Sequence, residues 1–501
     1  MAAETRYLAF DLGAESGRGV TGFFDGETLR LEDVHRFSNQ PVKILDTLYW
    51  DMPRLFLELK RGLAMAVAAH GKEFEAIGID TWGVDFGLLG HDDSLLANPR
   101  HYRDHANDGM LERAYTKVPK ERIFERTGIQ FMQINSLYQL LSMKLSNAPA
   151  LEAAKTLLFT PDLLNFWFTG VKTTEFSIAS TSQMVDPSTR GWALDLIQEM
   201  GLPTDILTDI VPTATNIGTV RADIAAECGS GRIPVVAPGE HDTASAVVSV
   251  PAKAGTDYAY ISSGTWSLVG IETAGPRITE QTLQANFTNE GGACDTIRLL
   301  KNVMGLWLVQ ECRRSWARGG DDLSYSRLTE LAEQARPFGA LIEPDHTDFL
   351  SPLDMPRAID TFCKRTGQQG PRSPGETMRC CLESLALKYR WVVERLEEFR
   401  GSKIDTIHIV GGGTQNRLLC QLTADATGRL VVAGPIEATA IGNVLTQAIG
   451  RGQIGSLEQA REVVRRSFEL ITYVPDVNQA AWEDAYVKFL AIHSGAAGTT
   501  I

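Results

Sequence analysis

Asp11 ends an apolar run, residues 7–11, and Leu12-Gly13-Ala14-Glu15-Ser16-Gly17-Arg18 follows at once. Glycines let successive backbone N–H groups converge on one point, which suits a phosphate. A carboxylate beside a triphosphate is repulsive unless a cation lies between them, so Asp11 points to Mg2+, bound directly or through water. A plain hairpin turn with an incidental Asp explains the same residues. Ser263-Gly264-Thr265-Trp266-Ser267 offers similar backbone chemistry plus the Thr265 hydroxyl, and a tight hairpin is again the alternative. Gly411-Gly412-Gly413 closes a strand and opens a helix. Backbone without side chains there suits the face of an adenine ring, and close strand-on-helix packing accounts for it equally.

Asp242, in His241-Asp242-Thr243-Ala244-Ser245, is the candidate catalytic carboxylate. It also fits the N-cap of a helix. The two roles are compatible, because a helix N-terminus near a phosphoryl acceptor favours negative charge. His241 fits either a core histidine or the polar wall of a sugar site. Residues 81–85 (Thr-Trp-Gly-Val-Asp) and Tyr102-Arg103-Asp104 combine an aromatic with polar groups, as a sugar requires. A buried Trp and two surface turns is the other reading. No G-x-x-x-x-G-K-[ST] occurs, which excludes a P-loop. The first turn has no helix after it and no G-x-G-x-x-G, which counts against a dinucleotide site.

These groups need an α/β frame. Residues 7–11 and 19–24 read as a hairpin around the first turn. Residues 51–70 read as a helix with Asp51 at the N-cap and Pro53 in its first turn. Residues 74–80 and 233–237 read as buried strands, the latter leading into a helix over 243–250. Strand, glycine turn, strand recurs over 258–272, which suggests a duplication with a boundary near 249–257. An amphipathic helix spans about 374–399. Residues 404–410 read as a strand, 304–309 as part of a buried helix, and 494–501 as a frayed end.

With 501 residues, the chain is long enough for two domains of about 200–250 residues each. A net charge of −14 disfavours nucleic acid and anionic membranes as partners. The start lacks a signal-peptide core and no apolar run spans a bilayer, so a cytoplasmic protein is expected. Seven scattered cysteines, without C-x-x-C or zinc spacing, read as reduced core residues.

In this order the motifs resemble the FGGY family of carbohydrate kinases over nearly the whole chain. Phe10-Asp11-Leu12-Gly13 resembles the family's first phosphate motif, Ser263-Gly264-Thr265 its second, and Val410-Gly411-Gly412-Gly413 with Asn416 its adenosine motif. Asp242 falls on its general base. DLGAESGR, IGIDTWGVDF, TGIQFMQINSLYQL, YISSGTWSLVGIE and LKNVMGLWLVQE resemble the members acting on L-rhamnulose. Glu15 and Glu240 stand where small residues are usual. The resemblance implies a two-lobed, actin-like ATPase (ribonuclease H-like) α/β fold with an interdomain ATP/sugar cleft. It implies a sugar-binding lobe over 1–249, a nucleotide-binding lobe over 257–470, and a C-terminal helix and tail over 471–501. It implies that Gly83, His241, Asp242 and Thr243 touch the ketose. Ala14, Glu15, Ser16, Gly17, Arg18, Thr265, Asn302, Gln310 and Gly412 would touch ATP, and Asp11 would serve Mg2+. The implied reaction phosphorylates the C1 hydroxyl of L-rhamnulose, in a monomer or small homo-oligomer. Phosphorylation of another deoxyketose such as L-fuculose is the enzymatic alternative, and a sugar or nucleotide sensor the non-enzymatic one.

Overall fold

The computed structural model describes residues 4–476 and 479–496. Two compact units are present. The first comprises Met1–Lys253, Glu272–Leu299 and Ala438–Phe468; the second comprises Ala254–Ile271, Leu300–Glu437 and Glu469–Ile501. The units therefore do not follow consecutive stretches of chain. Residues 438–468, expected with the C-terminal lobe, belong to the first unit.

In chain order, the elements that matter here are β1 (Thr5–Leu12), β2 (Ser16–Phe24), β3 (Leu29–Ser38), α1 (Met52–His70), β4 (Ala76–Thr81), β5 (Asn216–Thr219), β6 (Pro234–Val236) and α2 (Asp242–Val248). There follow β7 (Tyr258–Ser263), β8 (Ser267–Thr273), α3 (Trp307–Arg318), α4 (Pro374–Arg400), β9 (Thr406–Val410), α5 (Arg417–Thr427), β10 (Leu430–Ala433), α6 (Ala438–Gly450), β11 (Ile471–Tyr473) and α7 (Gln479–Gly495).

The sheet of the first unit runs β5-β6-β4-β1-β2-β3. The hairpin β1–β2 is antiparallel, while β1–β4 is parallel. The strands reach further into the first glycine turn than expected, leaving only residues 13–15 as the connection. Leu8, Phe10, Leu55, Leu59, Leu63, Ile77 and Ile79 are buried in one core cluster under α1. Asp51 caps α1 as expected, its Oδ1 accepting from Arg54 N at 3.2 Å. On the other face, Tyr7, Ala9 and Ala76 pack with Ile441, Val444, Leu445 and Ala448 of α6. At Gly442 of that helix an added Cβ would lie 1.7 Å from the Ser245 carbonyl oxygen of α2, so the two backbones touch and only glycine fits.

In the second unit β8-β7-β9-β10-β11 repeats the plan: an antiparallel hairpin, β7–β8, with β9 parallel to β7 and β10 parallel to β9. The long helix α4 is buried along most of its length. Its Lys388, fully buried, reaches Glu343 at 2.6 Å and Asp345 at 3.0 Å; His493 of α7 meets Glu343 at 2.5 Å. A buried ammonium is tolerated only with such partners. The expected helix over 304–309 is corrected: a strand, Ile297–Val303, ends there and α3 begins at Trp307. Of the expected frayed end, Ser494 and Gly495 close α7 and residues 497–501 lie outside the described residues. All seven cysteines are free thiols, six of them buried. Among the described residues no helix is long and apolar enough to cross a membrane.

Candidate active site

Strand register gathers three carboxylates in the first unit. Asp11 of β1 lies opposite Asp80 of β4 in the parallel pair. Thr81 N then donates to Glu240 O at 2.9 Å, and Thr81 bridges His241 in parallel fashion. Asp242 follows as the first residue of α2, so it stands at the start of the helix rather than at its N-cap, which is His241. The expected capping role is thus replaced by a first-turn position, where the helix dipole still favours a negative charge.

Burial pushes the Asp80 carboxyl well above the usual range, and Asp11 and Asp242 add to this while Asn443 opposes it. Asn443 Nδ2 donates to Asp80 Oδ2 at 2.5 Å, and Asp80 Oδ1 is buried without a partner. In the sequence Asp80 stands out only as the end of a strand. Burial also raises the Asp242 carboxyl; His241 opposes this and Asp11 adds to it. The Asp242 side chain remains 31% exposed. Thr243 Oγ1 donates to its Oδ1 at 3.1 Å.

Asp11 is held by Arg18, its cross-strand partner, through Nε at 3.0 Å and Nη2 at 2.8 Å. The charge that pointed to a cation is therefore compensated within the hairpin. Of the other residues of that turn, Glu15 and Ser16 are exposed, Ala14 is partly exposed, and Gly17 is buried against the Phe37 ring.

Behind the His241-Asp242 loop lie Asp162, Glu175 and Glu240, all buried. Glu175 accepts from Ser177 N, Ile178 N and Glu240 N, and Asn165 donates to Glu240 at 2.7 Å. Burial raises the Glu240 carboxyl, and Asp162 and Glu175 raise it further. Glu240 thus anchors the loop from inside and adds no exposed charge beside it.

The loop after β4 is more structural than expected. The Trp82 and Trp50 rings pack with centroids 4.1 Å apart, tilted by 36°, and both indole N–H groups donate to the buried Asp85. Asp104 is buried and accepts from Leu48 N and Ala106 N. These aromatic and acidic groups build the loop instead of an open sugar wall. Gly83 remains partly exposed, and a Cβ on it would meet Thr181 at 3.1 Å. Val84 has φ 70°, a left-handed conformation costly for a β-branched residue. It is held by its own N–H, which donates to Thr181 Oγ1 at 3.0 Å, and by Ser136 Oγ, which donates to its carbonyl at 2.5 Å.

The second unit brings together the other four candidates. Leu306 N donates to Gly264 O and Trp307 N to Thr265 O, so the second glycine turn sits on the start of α3, which carries Gln310. Gln310 Oε1 is buried without a partner. Gly411 has φ 88°, and a Cβ on Gly413 would lie 1.9 Å from Ser263 Oγ, so the third glycine motif packs on the second. Gly412 differs: it is exposed, and a Cβ there would meet nothing within 4 Å. Asn302 lies partly exposed on the strand leading to α3. Neither Asn302 nor Gln310 carries a local signal of its own.

No group of three or more His, Cys, Asp or Glu among the described residues could cage a metal. Mg2+ held mainly by nucleotide phosphates needs only one or two protein carboxylates; Asp80 Oδ1 is buried without a partner, and Asp11, across from it, gives Oδ2 to Arg18.

Paired α/β units, each opening on strand, glycine turn and strand, define an actin-like ATPase fold. A crystal structure of gluconate kinase from Lactobacillus acidophilus superposes with a TM-score of 0.81 over 99% of both chains, at 14% identity. The chain belongs to the FGGY family of carbohydrate kinases: the family's N-terminal domain matches residues 6–249 and its C-terminal domain residues 259–451. It is an ATP-dependent carbohydrate kinase, and such kinases use a divalent metal with ATP. A rhamnulokinase from Bacteroides thetaiotaomicron is 44% identical over 96% of this chain and 98% of its own. A rhamnulokinase from Oceanobacillus iheyensis is 41% identical over 93% of this chain and 97% of its own.

Proposed function

We propose that the chain transfers the γ-phosphoryl group of ATP to the C1 hydroxyl of L-rhamnulose, giving L-rhamnulose 1-phosphate and ADP. The observation that carries this is the 44% identity to a rhamnulokinase across nearly the full length of both proteins. Asp242 accepts the hydroxyl proton as the sugar oxygen attacks the γ-phosphorus in line. Gly83, His241 and Thr243 position the ketose. Backbone at Ala14, Glu15, Ser16, Gly17 and Arg18, with Thr265, Asn302 and Gln310, holds the phosphates, and Gly412 lies against the adenine. Asp11 and Asp80 would hold Mg2+, which would neutralise charge on the phosphate oxygens. Positioning and electrostatic stabilisation contribute most of the rate, since the phosphoryl transition state is loose. The need for ATP assigns the reaction to the cytoplasm.

The test is ADP release with MgATP across a panel of ketoses. L-Rhamnulose is expected to give the highest kcat/KM, and a higher value for L-fuculose would reassign the substrate. Asp242→Asn is expected to lower turnover by roughly 10²–10⁴-fold while ATP binding persists. Wild-type turnover in that variant removes Asp242 from the role of base.

A further inference from the structure

We propose that Arg298 and Glu290 are positioning residues that hold His241 with its proton on Nε2, facing the Asp242 carboxylate. The proposal rests on Asp242 being the base. Arg298 is fully buried, and the Glu290 and His241 side chains are 5% and 10% exposed. Arg298 Nη2 lies 3.1 Å from His241 Nδ1 and 3.2 Å from Glu290 Oε2, while its Nε donates to Gly291 O at 2.8 Å. A guanidinium can only donate. Its Nη2 carries two hydrogens, one for each of these partners. Nδ1 also lies 3.4 Å from Glu290 Oε2, but the guanidinium contact is the shorter, so Nδ1 accepts, and a neutral imidazole in that state carries its hydrogen on Nε2.

Nε2 lies 3.5 Å from Asp242 Oδ1. That is long for a hydrogen bond but close enough for the N–H dipole to favour the ionised carboxylate. The other tautomer would turn a lone pair toward the carboxylate and repel it. Glu290 compensates the buried cation, without which Arg298 would be costly to bury. The backbone is fixed as well: His241 N donates to Ser177 Oγ at 3.2 Å, and Ser177 Oγ donates to Glu175 Oε2 at 2.5 Å. The ring thus serves as an oriented dipole between a buried ion pair and the base. The proton leaving the sugar hydroxyl goes to Asp242 and not to His241.

The test uses the full chain with isotope-labelled histidine ring nitrogens, the His241 signal being identified by its loss in His241→Asn. The wild type is expected to show a neutral ring protonated on Nε2. A ring protonated on Nδ1, or a mixture, overturns the proposal. Arg298→Gln is expected to lose the single-tautomer signature and to lower turnover roughly 10-fold or more. Its KM for ATP is expected to stay within about twofold of wild type. Arg298→Lys, which still donates, should recover part of the loss. Unchanged tautomer and turnover in Arg298→Gln would sink the idea. Should that variant fail to fold, the wild-type spectrum decides. Failure of the base assignment shows separately, as an active Asp242→Asn whatever the tautomer of its neighbour.

Discussion

At Asp242 the demands of chemistry and of folding diverge. A base must be ionised, so turnover is present above its raised pKa and lost as pH falls through it. The acid limb of kcat/KM is therefore expected above the ordinary Asp value of 3.8, measured by ADP release across pH. Stability has the opposite sign. A carboxyl whose folded pKa is raised contributes stability that is fully present below the unfolded value and lost as pH rises through the folded one. Asp80, buried and raised in the same way, tests this. Asp80→Asn keeps an acceptor for Asn443 and removes the charge. It is expected to stabilise by on the order of 1 kcal/mol at pH 8, with the gain vanishing near pH 4 in thermal melts, while turnover falls. Burial likewise pushes the Asp85 carboxyl up to about 7, so its share of stability fades from about pH 4 through 7.

Helices and turns fix where these groups stand, and glycines set how closely the elements approach. Gly442→Ala places a methyl 1.7 Å from the Ser245 carbonyl. It is expected to cost about 1–3 kcal/mol in denaturant melts and to lower turnover, because the displaced helix α2 begins with Asp242. Gly412→Ala meets open space. It is expected to leave the melting temperature unchanged and raise the KM for ATP, a pairing that separates nucleotide contact from packing. The glycine turns were legible because main-chain curvature demands that residue type locally. The Asp51 cap and the 374–399 helix were legible from spacing, whereas the cap expected at Asp242 falls on His241. Asp80 was not, since its partner Asn443 lies 363 residues away and no local pattern encodes such a contact. For Trp82 and Asp85 the sequence leaves a sugar site and a buried Trp equally open, because composition does not reveal that two indoles share one carboxylate in the core.

For the molecule as a whole, the two-unit plan and its repeated hairpins were legible, but the allocation of chain was not. An amphipathic helix such as α6 shows that it has an apolar face, and nothing in its own residues says which sheet that face covers. Residues 1–253 alone leave the side of the sheet bearing Tyr7, Ala9 and Ala76 without α6. That fragment is expected to be rapidly proteolysed, and co-expression with residues 438–468 is expected to restore protection.

Synthesis runs from one end only, so the first unit remains unfinished on the ribosome until residue 468 has emerged. For most of translation an apolar sheet face and the Asp80 carboxyl wait for partners not yet made. Nascent chains stalled before residue 438 should therefore bind a chaperone such as a trigger-factor-type holdase, and those stalled well beyond 468 should release it.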